Sequence, residues 1–160
     1  MLPVSASSVL YSDESQGIYK MTLDFTPFKK ALNSLSEAIV STSDDAFMVS
    51  LNEAQRRTMR AGVIQNFEFT YELSWKMLRR QLKAEDGDNE INVLSRKDLF
   101  RLAAQKTLLD DPEPWFVFHH ARNQTSHTYD EEIAKEVYAI IIDFLPMAEQ
   151  LLARLEARKS

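Results

Sequence analysis

The stretch IQNFEFTYELSWKMLRRQL, residues 64–82, decides the fold of this 160-residue chain. Its large apolar side chains recur every three or four residues, which is the spacing of one face of an α-helix. That face is formed by Ile64, Phe67, Tyr71, Trp75, Leu78 and Leu82. The pattern continues on both sides and predicts one long helix from about Ala46 to Ala84. The glycine-containing segment EDGDN, residues 85–89, then ends it.

Two helices are predicted around this central one from their start signals. Thr26 followed by Pro27 begins the first, because a hydroxyl that caps and a proline at the first helical position both favour a helix start. The polar loop STSDD, residues 41–45, separates it from the long helix. Ser95 begins the third helix, with Asp98 placed as the acid of a capping box.

The C-terminal third of the chain predicts two more helices. The segment DDPEP, residues 110–114, begins the fourth. Thr128 and Glu131 have the spacing of a second capping box and begin the last helix. Pro146 lies inside that helix and should kink it.

Glycine is rare, with three residues, and no stretch alternates as a strand would. The fold class predicted is therefore all-α, an up-and-down helical bundle of about four to five helices. Residues 1–20 are rich in serine and lack a sustained period, so we expect a flexible N-terminal extension. Residues 21–160 are expected to form one bundle domain, since this length supports a single core.

Composition limits the function classes. The chain has no cysteine, which excludes disulfides and thiolate zinc sites and fits a cytoplasmic location. The longest apolar run, residues 138–142, is too short for a membrane span, and no secretory signal is evident. The net charge of −5 gives no general attraction to nucleic acid. An RNA contact would have to come from a local basic patch.

The segment RNQTSHTY, residues 122–129, holds the strongest candidates for chemistry. Arg122 is a permanent cation that can hold a phosphate in a planar fork. His127 can take and give a proton near neutral pH. Tyr129 adds a phenol, and Asn123 is placed to orient a phosphate or the histidine. The combination points to work on a phosphodiester without a metal.

The spacing of the pair constrains how it could act. On one straight helix, Arg122 and His127 would point about 140° apart, at roughly 100° per residue. The predicted cap at Thr128 would end the fourth helix near Ser126 and leave His127 at a turn. The other solution is a homodimer in which two chains bring their copies together. The start of the last helix would also favour an anion.

Each of these residues has a plainer structural interpretation. Arg122 could pair with Asp130 or Glu131, and His127 could be a surface histidine. Tyr129 could pack its ring and expose its hydroxyl. His119 and His120 invite a metal site with His127, but no ligand spacing supports one, so packing is favoured. The aromatic residues of the long and fourth helices are core or dimer surface rather than a base-stacking platform.

A basic helical face is the second candidate site. It is formed by Lys76, Arg79, Arg80 and Lys83. Such a face is usually solvated, but it could also guide an RNA phosphate, or a partner's nucleotide, towards Arg122. The acidic residues Asp130 and Glu131 beside the motif oppose tight RNA binding.

These motifs carry a resemblance to a known family. Arg122, His127 and Tyr129 fit the Arg-x4-His-x-Tyr motif of the HEPN superfamily, in its ribonuclease-toxin branch. The fuller strings ARNQTSHTYDE, residues 121–131, and IQNFEFTYELSWK, residues 64–76, resemble the nucleotidyltransferase substrate-binding subfamily. The resemblance covers roughly residue 21 to the C-terminus, and the extension before it departs from the pattern.

The resemblance implies a partner and two possible roles. It implies a homodimer and a minimal nucleotidyltransferase that uses Mg-ATP, whereas this chain needs no cofactor. In one role, the chain is a metal-independent endoribonuclease toxin that leaves 2′,3′-cyclic phosphate ends. Its partner is then an antitoxin that adenylylates Tyr129. The alternative is a non-catalytic substrate-binding subunit of a two-component nucleotidyltransferase, and a third possibility is a plain interaction module.

Overall fold

The computed structural model describes residues 8–13 and 18–159. It begins with two antiparallel strands, β1 (Ser8–Asp13) and β2 (Ile18–Leu23), in which Ser8 pairs with Leu23 and Asp13 with Ile18. No strand was predicted from the sequence, and β2 crosses the predicted domain boundary at residue 20. The expectation of a flexible extension falls partly on residues 1–7 and 14–17, which lie outside the described residues.

Seven α-helices follow the two strands within the described part of the chain. Their bounds are α1 (Thr26–Ser43), α2 (Asp45–Ser50), α3 (Glu53–Asp86), α4 (Asp88–Asn92), α5 (Arg96–Gln105), α6 (Glu113–Gln124) and α7 (Glu131–Ala157). A 3-10 turn (Thr125–His127) joins α6 to α7. The central helix α3 contacts α1, α6 and α7. The predicted all-α helical class is confirmed, and the short helices α2 and α4 are additions to the five helices expected.

The start of α3 differs from the prediction because Asn52 forms a capping box. Its side chain accepts a hydrogen bond from the Gln55 amide (2.8 Å), while the Gln55 side chain accepts one from the Asn52 amide (2.9 Å). This box satisfies amides that have no partner inside a helix. The predicted long helix is therefore divided into α2 and α3 around residues 51–52.

Other predicted helix starts had mixed outcomes. Ser95 caps α5 as expected, since its Oγ accepts a hydrogen bond from the Asp98 amide (3.1 Å). Thr26 does not cap α1 but is its first residue. Its amide donates to Oδ1 of Asp24 (3.0 Å), and hydrogen bonding to Thr26 lowers the pKa of that carboxyl.

The predicted capping box at the start of α7 was wrong. Asp130 is the cap, and its Oδ1 accepts hydrogen bonds from the amides of Glu132 (2.9 Å) and Ile133 (3.4 Å). The Thr128 hydroxyl instead donates to the carbonyl of Thr125 (3.0 Å), three residues before it. The helix then continues past Pro146 to Ala157.

An aromatic cluster at the centre of the core fixes α6 against α3 and α7. Phe144 of α7 makes edge contacts with Phe67 (centroids 5.1 Å apart), Phe118 (5.2 Å) and Trp115 (5.9 Å). All four side chains are buried. Arg122 lies one turn after Phe118 on α6, so the face that holds Phe118 in the core also directs Arg122 towards α3.

Candidate functional site

Arg122 lies in the last turn of α6, where the helix passes into the 3-10 turn. Its Nη1 donates a hydrogen bond to Oγ1 of Thr125 (3.1 Å), and the Thr125 hydroxyl donates to the carbonyl of Arg122 (2.7 Å). Thr125 is buried. The 3-10 turn thus holds the guanidinium as well as ending the helix. The helix α6 ends at Gln124, two residues before the predicted end near Ser126, and His127 lies in the turn as the sequence predicted.

Two carboxylates from α3 face this guanidinium. Oε2 of Glu68 lies 3.5 Å from Nη1, and Oε1 of Glu72 lies 3.4 Å from Nε. Glu68 and Glu72 are four residues apart and so share one face of α3. The pairing of Arg122 with Asp130 or Glu131 that the sequence allowed is not observed, since Asp130 caps α7.

The two edges of the guanidinium differ in their surroundings. Nε is shielded from solvent and, among the described residues, has no hydrogen-bond partner, so the nearby Glu72 carboxylate supplies its compensating charge. Nη1 lies between Thr125 and Glu68. Arg122 carries one positive charge, whereas Glu68 and Glu72 together carry two negative charges, so negative charge is in excess around the guanidinium.

Glu72 belongs to a polar network that continues away from Arg122. Nε1 of Trp75 donates a hydrogen bond to Oε2 of Glu72 (3.0 Å). The guanidinium carbon of Arg96 stacks 3.5 Å from the centre of the Trp75 ring. Nη1 of Arg96 donates to the hydroxyl of Tyr71 (3.1 Å), which lies 2.8 Å from Nδ1 of His119. This network is not evident from the sequence, because its members are distributed over α3, α5 and α6.

Burial sets the protonation of the far end of the network. It raises the pKa of Tyr71 to about 12, although the hydrogen bond from Arg96 opposes this. Burial also lowers the pKa of His119, and the positive charge of Arg96 adds to that effect. Near neutral pH, the phenol is therefore protonated and His119 is neutral.

His127 is the last residue of the 3-10 turn, Tyr129 follows two residues later, and both lie at the surface. Their ring centres are 6.1 Å apart at 76°, and 85% of Tyr129 is exposed. His127 and Asn123 are also exposed. Among the described contacts of the Arg122 side chain, there is none with His127. The structure thus brings Arg122 to Glu68, Glu72 and Thr125 rather than to the histidine of its own motif.

The basic residues predicted on α3 do not form one free face. Lys76 lies 5.8 Å from the centre of the Trp75 ring, and Arg79 donates a hydrogen bond to Asn92 (2.9 Å). Arg80 is half-buried, and burial lowers its pKa; Lys83 is half-buried too. Arg79 instead joins Arg96, which the sequence analysis did not select, in a shallow cavity of about 170 Å³ that Trp75 also lines.

Most of this chain matches a known protein family. The family model described as "Nucleotidyltransferase substrate binding protein like" matches residues 23–157. The chain belongs to this HEPN nucleotidyltransferase substrate-binding family. A Haemophilus influenzae protein named "Probable ribonuclease HepT" is 39% identical over 137 residues, which is 85% of this chain and 94% of that protein.

Two solved structures share the fold of this family member. One is from Haemophilus influenzae and is described as the fold of a substrate binding domain of a nucleotidyltransferase. Its TM-score is 0.77 at 39% identity, with 81% of this chain and 96% of that chain covered. The other, from Thermus thermophilus, has a TM-score of 0.63 at 30% identity, with 80% and 98% covered.

The family match spans the whole candidate site and begins at the last residue of β2. Within the described residues of this family member, no group of three or more histidine, aspartate or glutamate side chains could hold a metal ion. His119 faces Tyr71, whereas His120 is exposed. None of the helices in the described part of the chain is long and apolar enough to cross a membrane.

Proposed function

We propose that the chain is the toxin of a toxin–antitoxin pair and cleaves RNA without a metal ion. The observation that carries the proposal is the Arg122 guanidinium, held by Thr125 at the end of α6 and followed five residues later by the exposed His127. The 39% identity to a protein named as a probable ribonuclease supports it. The proposed partner is a minimal nucleotidyltransferase.

The reaction is a transesterification within the RNA. The ribose 2′-oxygen loses its proton to a base and attacks the adjacent phosphorus, and the bond from phosphorus to the 5′-oxygen breaks. The leaving 5′-oxygen receives a proton from an acid. A 2′,3′-cyclic phosphate and a 5′-hydroxyl result. His127 transfers protons, Arg122 stabilises charge on the phosphorane-like transition state, and Asn123 orients the phosphate or the histidine.

We further propose that two chains form each cleavage site. The reaction needs one base and one acid, whereas each motif supplies one exposed histidine, His127. Arg122 is directed towards α3 and makes no described contact with His127 of its own chain. A homodimer with facing motifs would supply two histidines and two guanidinium groups to one cleft, one histidine acting as base and the other as acid.

Control by the partner is proposed to act through Tyr129. Its 85% exposure leaves the hydroxyl open to an enzyme that transfers AMP from Mg-ATP. The added phosphodiester would place a negative charge next to the motif and compete with RNA for Arg122. Arg79 and Arg96, which line the shallow cavity with Trp75, are proposed to contact phosphates farther along the RNA.

A second candidate function is favoured by the two carboxylates at Arg122. Their charge exceeds that of the guanidinium and opposes phosphate binding, which suits a non-catalytic subunit that presents a substrate to the transferase. Purified chain should be incubated with single-stranded RNA, alone and with the proposed minimal nucleotidyltransferase partner. Cleavage by the chain alone, suppressed when the partner and Mg-ATP are present, supports the toxin. Cleavage in neither case supports the binding subunit.

A further inference from the structure

We propose that Glu72 and Glu68 act in opposite directions on Arg122: Glu72 positions the guanidinium for RNA cleavage, and Glu68 competes with the RNA phosphate for it. This inference rests on the proposed function. It starts from the geometry of the two ion pairs, because each carboxylate holds a different edge of the same cation.

Glu72 holds the inner edge of the guanidinium. The Nε atom there is shielded from solvent and has no hydrogen-bond partner among the described residues, so the Glu72 carboxylate 3.4 Å away supplies the compensating charge. An RNA phosphate could not reach this atom without moving the side chain. Removing the negative charge of Glu72 would leave the shielded Nε without a carboxylate beside it, while Glu68 would still attract the outer edge, and both effects would favour rotation of Arg122 outwards.

Glu72 is itself fixed from behind. Its second oxygen, Oε2, accepts the hydrogen bond from Nε1 of Trp75 (3.0 Å), and the Trp75 ring is covered by the guanidinium of Arg96. A carboxylate with one oxygen on Trp75 and the other near Arg122 has little freedom to turn. Glu72 is therefore suited to define where the guanidinium lies, and Trp75 to define where Glu72 lies.

Glu68 holds the outer edge and is not fixed. Its described interaction is the 3.5 Å ion pair with Nη1 of Arg122, and among the described residues no group holds it as Trp75 holds Glu72, although the two side chains are similarly exposed, at 36% and 34%. A guanidinium grips a phosphate through two N–H groups in a fork. Nη1 is one of the outer groups available for this, so the phosphate must displace Glu68. A half-exposed ion pair of this length is weak enough to be displaced.

The test is steady-state cleavage of a single-stranded RNA by the full chain and by single glutamine variants, which keep the shape of glutamate but remove its charge. Glu68→Gln should lower KM about fivefold, the effect of one unit charge about 4 Å away in water. Glu72→Gln should lower kcat about tenfold or more, since a misplaced catalytic group costs rate rather than affinity. A merely structural role would not produce a lower KM in one variant and a lower kcat in the other.

Two controls keep the result interpretable. Glu149→Gln changes the net charge equally at an exposed site, about 27 Å along α7 from Glu131 at 1.5 Å per residue. It should alter neither constant. Trp75→Phe removes the N–H that holds Glu72 but keeps a ring beneath Arg96. It should lower kcat as Glu72→Gln does. The role of Glu72 can therefore still be tested if Glu72→Gln folds poorly.

RNA affinity in the His127→Ala background, measured by fluorescence anisotropy, checks the Glu68 effect without turnover. Adding Glu68→Gln to His127→Ala should lower the dissociation constant for RNA about fivefold, as it lowers KM. The inference is overturned if the parent cleaves RNA but Glu68→Gln does not lower KM, or if Glu72→Gln and Trp75→Phe both keep the parent's kcat. A parent that neither binds nor cleaves RNA overturns the proposed function as well.

Discussion

The hydroxyl of Tyr71 on α3 lies 2.8 Å from Nδ1 of His119 on α6. A guanidinium can only donate, and Nη1 of Arg96 lies 3.1 Å from the hydroxyl and 3.5 Å from Nδ1. The favoured arrangement is therefore an unprotonated Nδ1 that accepts the Tyr71 hydrogen bond. This contact joins the two helices that carry the candidate site, and it depends on His119 staying neutral.

The first prediction is a loss of stability on acidification that His119 controls. Burial and the neighbouring Arg96 place its folded pKa below the ordinary value of 6.5, and Lys97 and His120 act in the same direction, whereas Glu72 opposes them. Below pH 6.5 the unfolded chain binds a proton that the folded chain does not, so stability falls as pH decreases through that range.

Melting temperatures between pH 7.5 and 5.5 test this for the parent and for His119→Gln. The amide oxygen of glutamine can still accept the Tyr71 hydrogen bond but does not titrate. The parent should lose more stability than the variant over this range. Equal losses would mean that His119 does not carry the pH dependence.

The second prediction concerns the cap of α7, next to the motif. Asp130→Ala should lower the free energy of unfolding by about 1 kcal/mol, because its carboxylate accepts two amide hydrogen bonds at the helix start. Glu131→Ala removes the acid of the capping box that the sequence suggested but the structure lacks, and should cost less than about 0.5 kcal/mol. Urea denaturation compares them, and a larger loss for Glu131→Ala would contradict the observed cap.

Local sequence signals predicted the helices well and their ends less well. The spacing of Phe67, Tyr71 and Trp75 was enough to predict α3, since apolar periodicity reports directly on a buried helix face. The start of α7 was missed because Thr128 and Asp130 are both good caps. The choice between them depends on the 3-10 turn, which the one-dimensional pattern does not show.

The site was predicted only where its residues are close in sequence. Arg122, His127 and Tyr129 form a local motif, whereas Glu68, Glu72 and Arg96 reach the same region from other helices. Glu68 and Glu72 lie within the family-like string on α3 and are spaced to share one face, but they were not among the residues selected from the sequence. Nothing in the sequence showed that this face meets Arg122, since that depends on how α3 packs against α6.

The third prediction is a cleavage site shared between two chains. Light scattering at micromolar concentration should show a homodimer. Parent chains unfolded and refolded together with an equal amount of His127→Ala chains should keep about half of the activity that the same amount of parent shows alone. Half of all dimers are then mixed and carry a single His127, which cannot serve as both base and acid, and only a quarter are parent homodimers. A fully active monomer, or parent activity that the inactive chain leaves unchanged, would contradict the shared site.

The fourth prediction concerns Tyr129 and the partner transferase. Co-expression should add AMP to the Tyr129 peptide, detected by mass spectrometry, and should silence cleavage. Tyr129→Phe should keep most ribonuclease activity, because the phenol is not the proposed acid or base, yet it should escape silencing. If no AMP is found on that peptide, or if Tyr129→Phe is silenced as well as the parent, the partner acts by another route.

The most direct measurement of the central claim is cleavage of a defined RNA by the parent, Arg122→Ala and His127→Ala, each in excess EDTA and with the product ends identified. The parent is expected to yield 2′,3′-cyclic phosphate and 5′-hydroxyl ends in EDTA. Each variant is expected to lose at least about a hundredfold in rate while keeping the parent's circular dichroism spectrum. Activity retained by His127→Ala, or lost by the parent on chelation, would contradict the proposed mechanism.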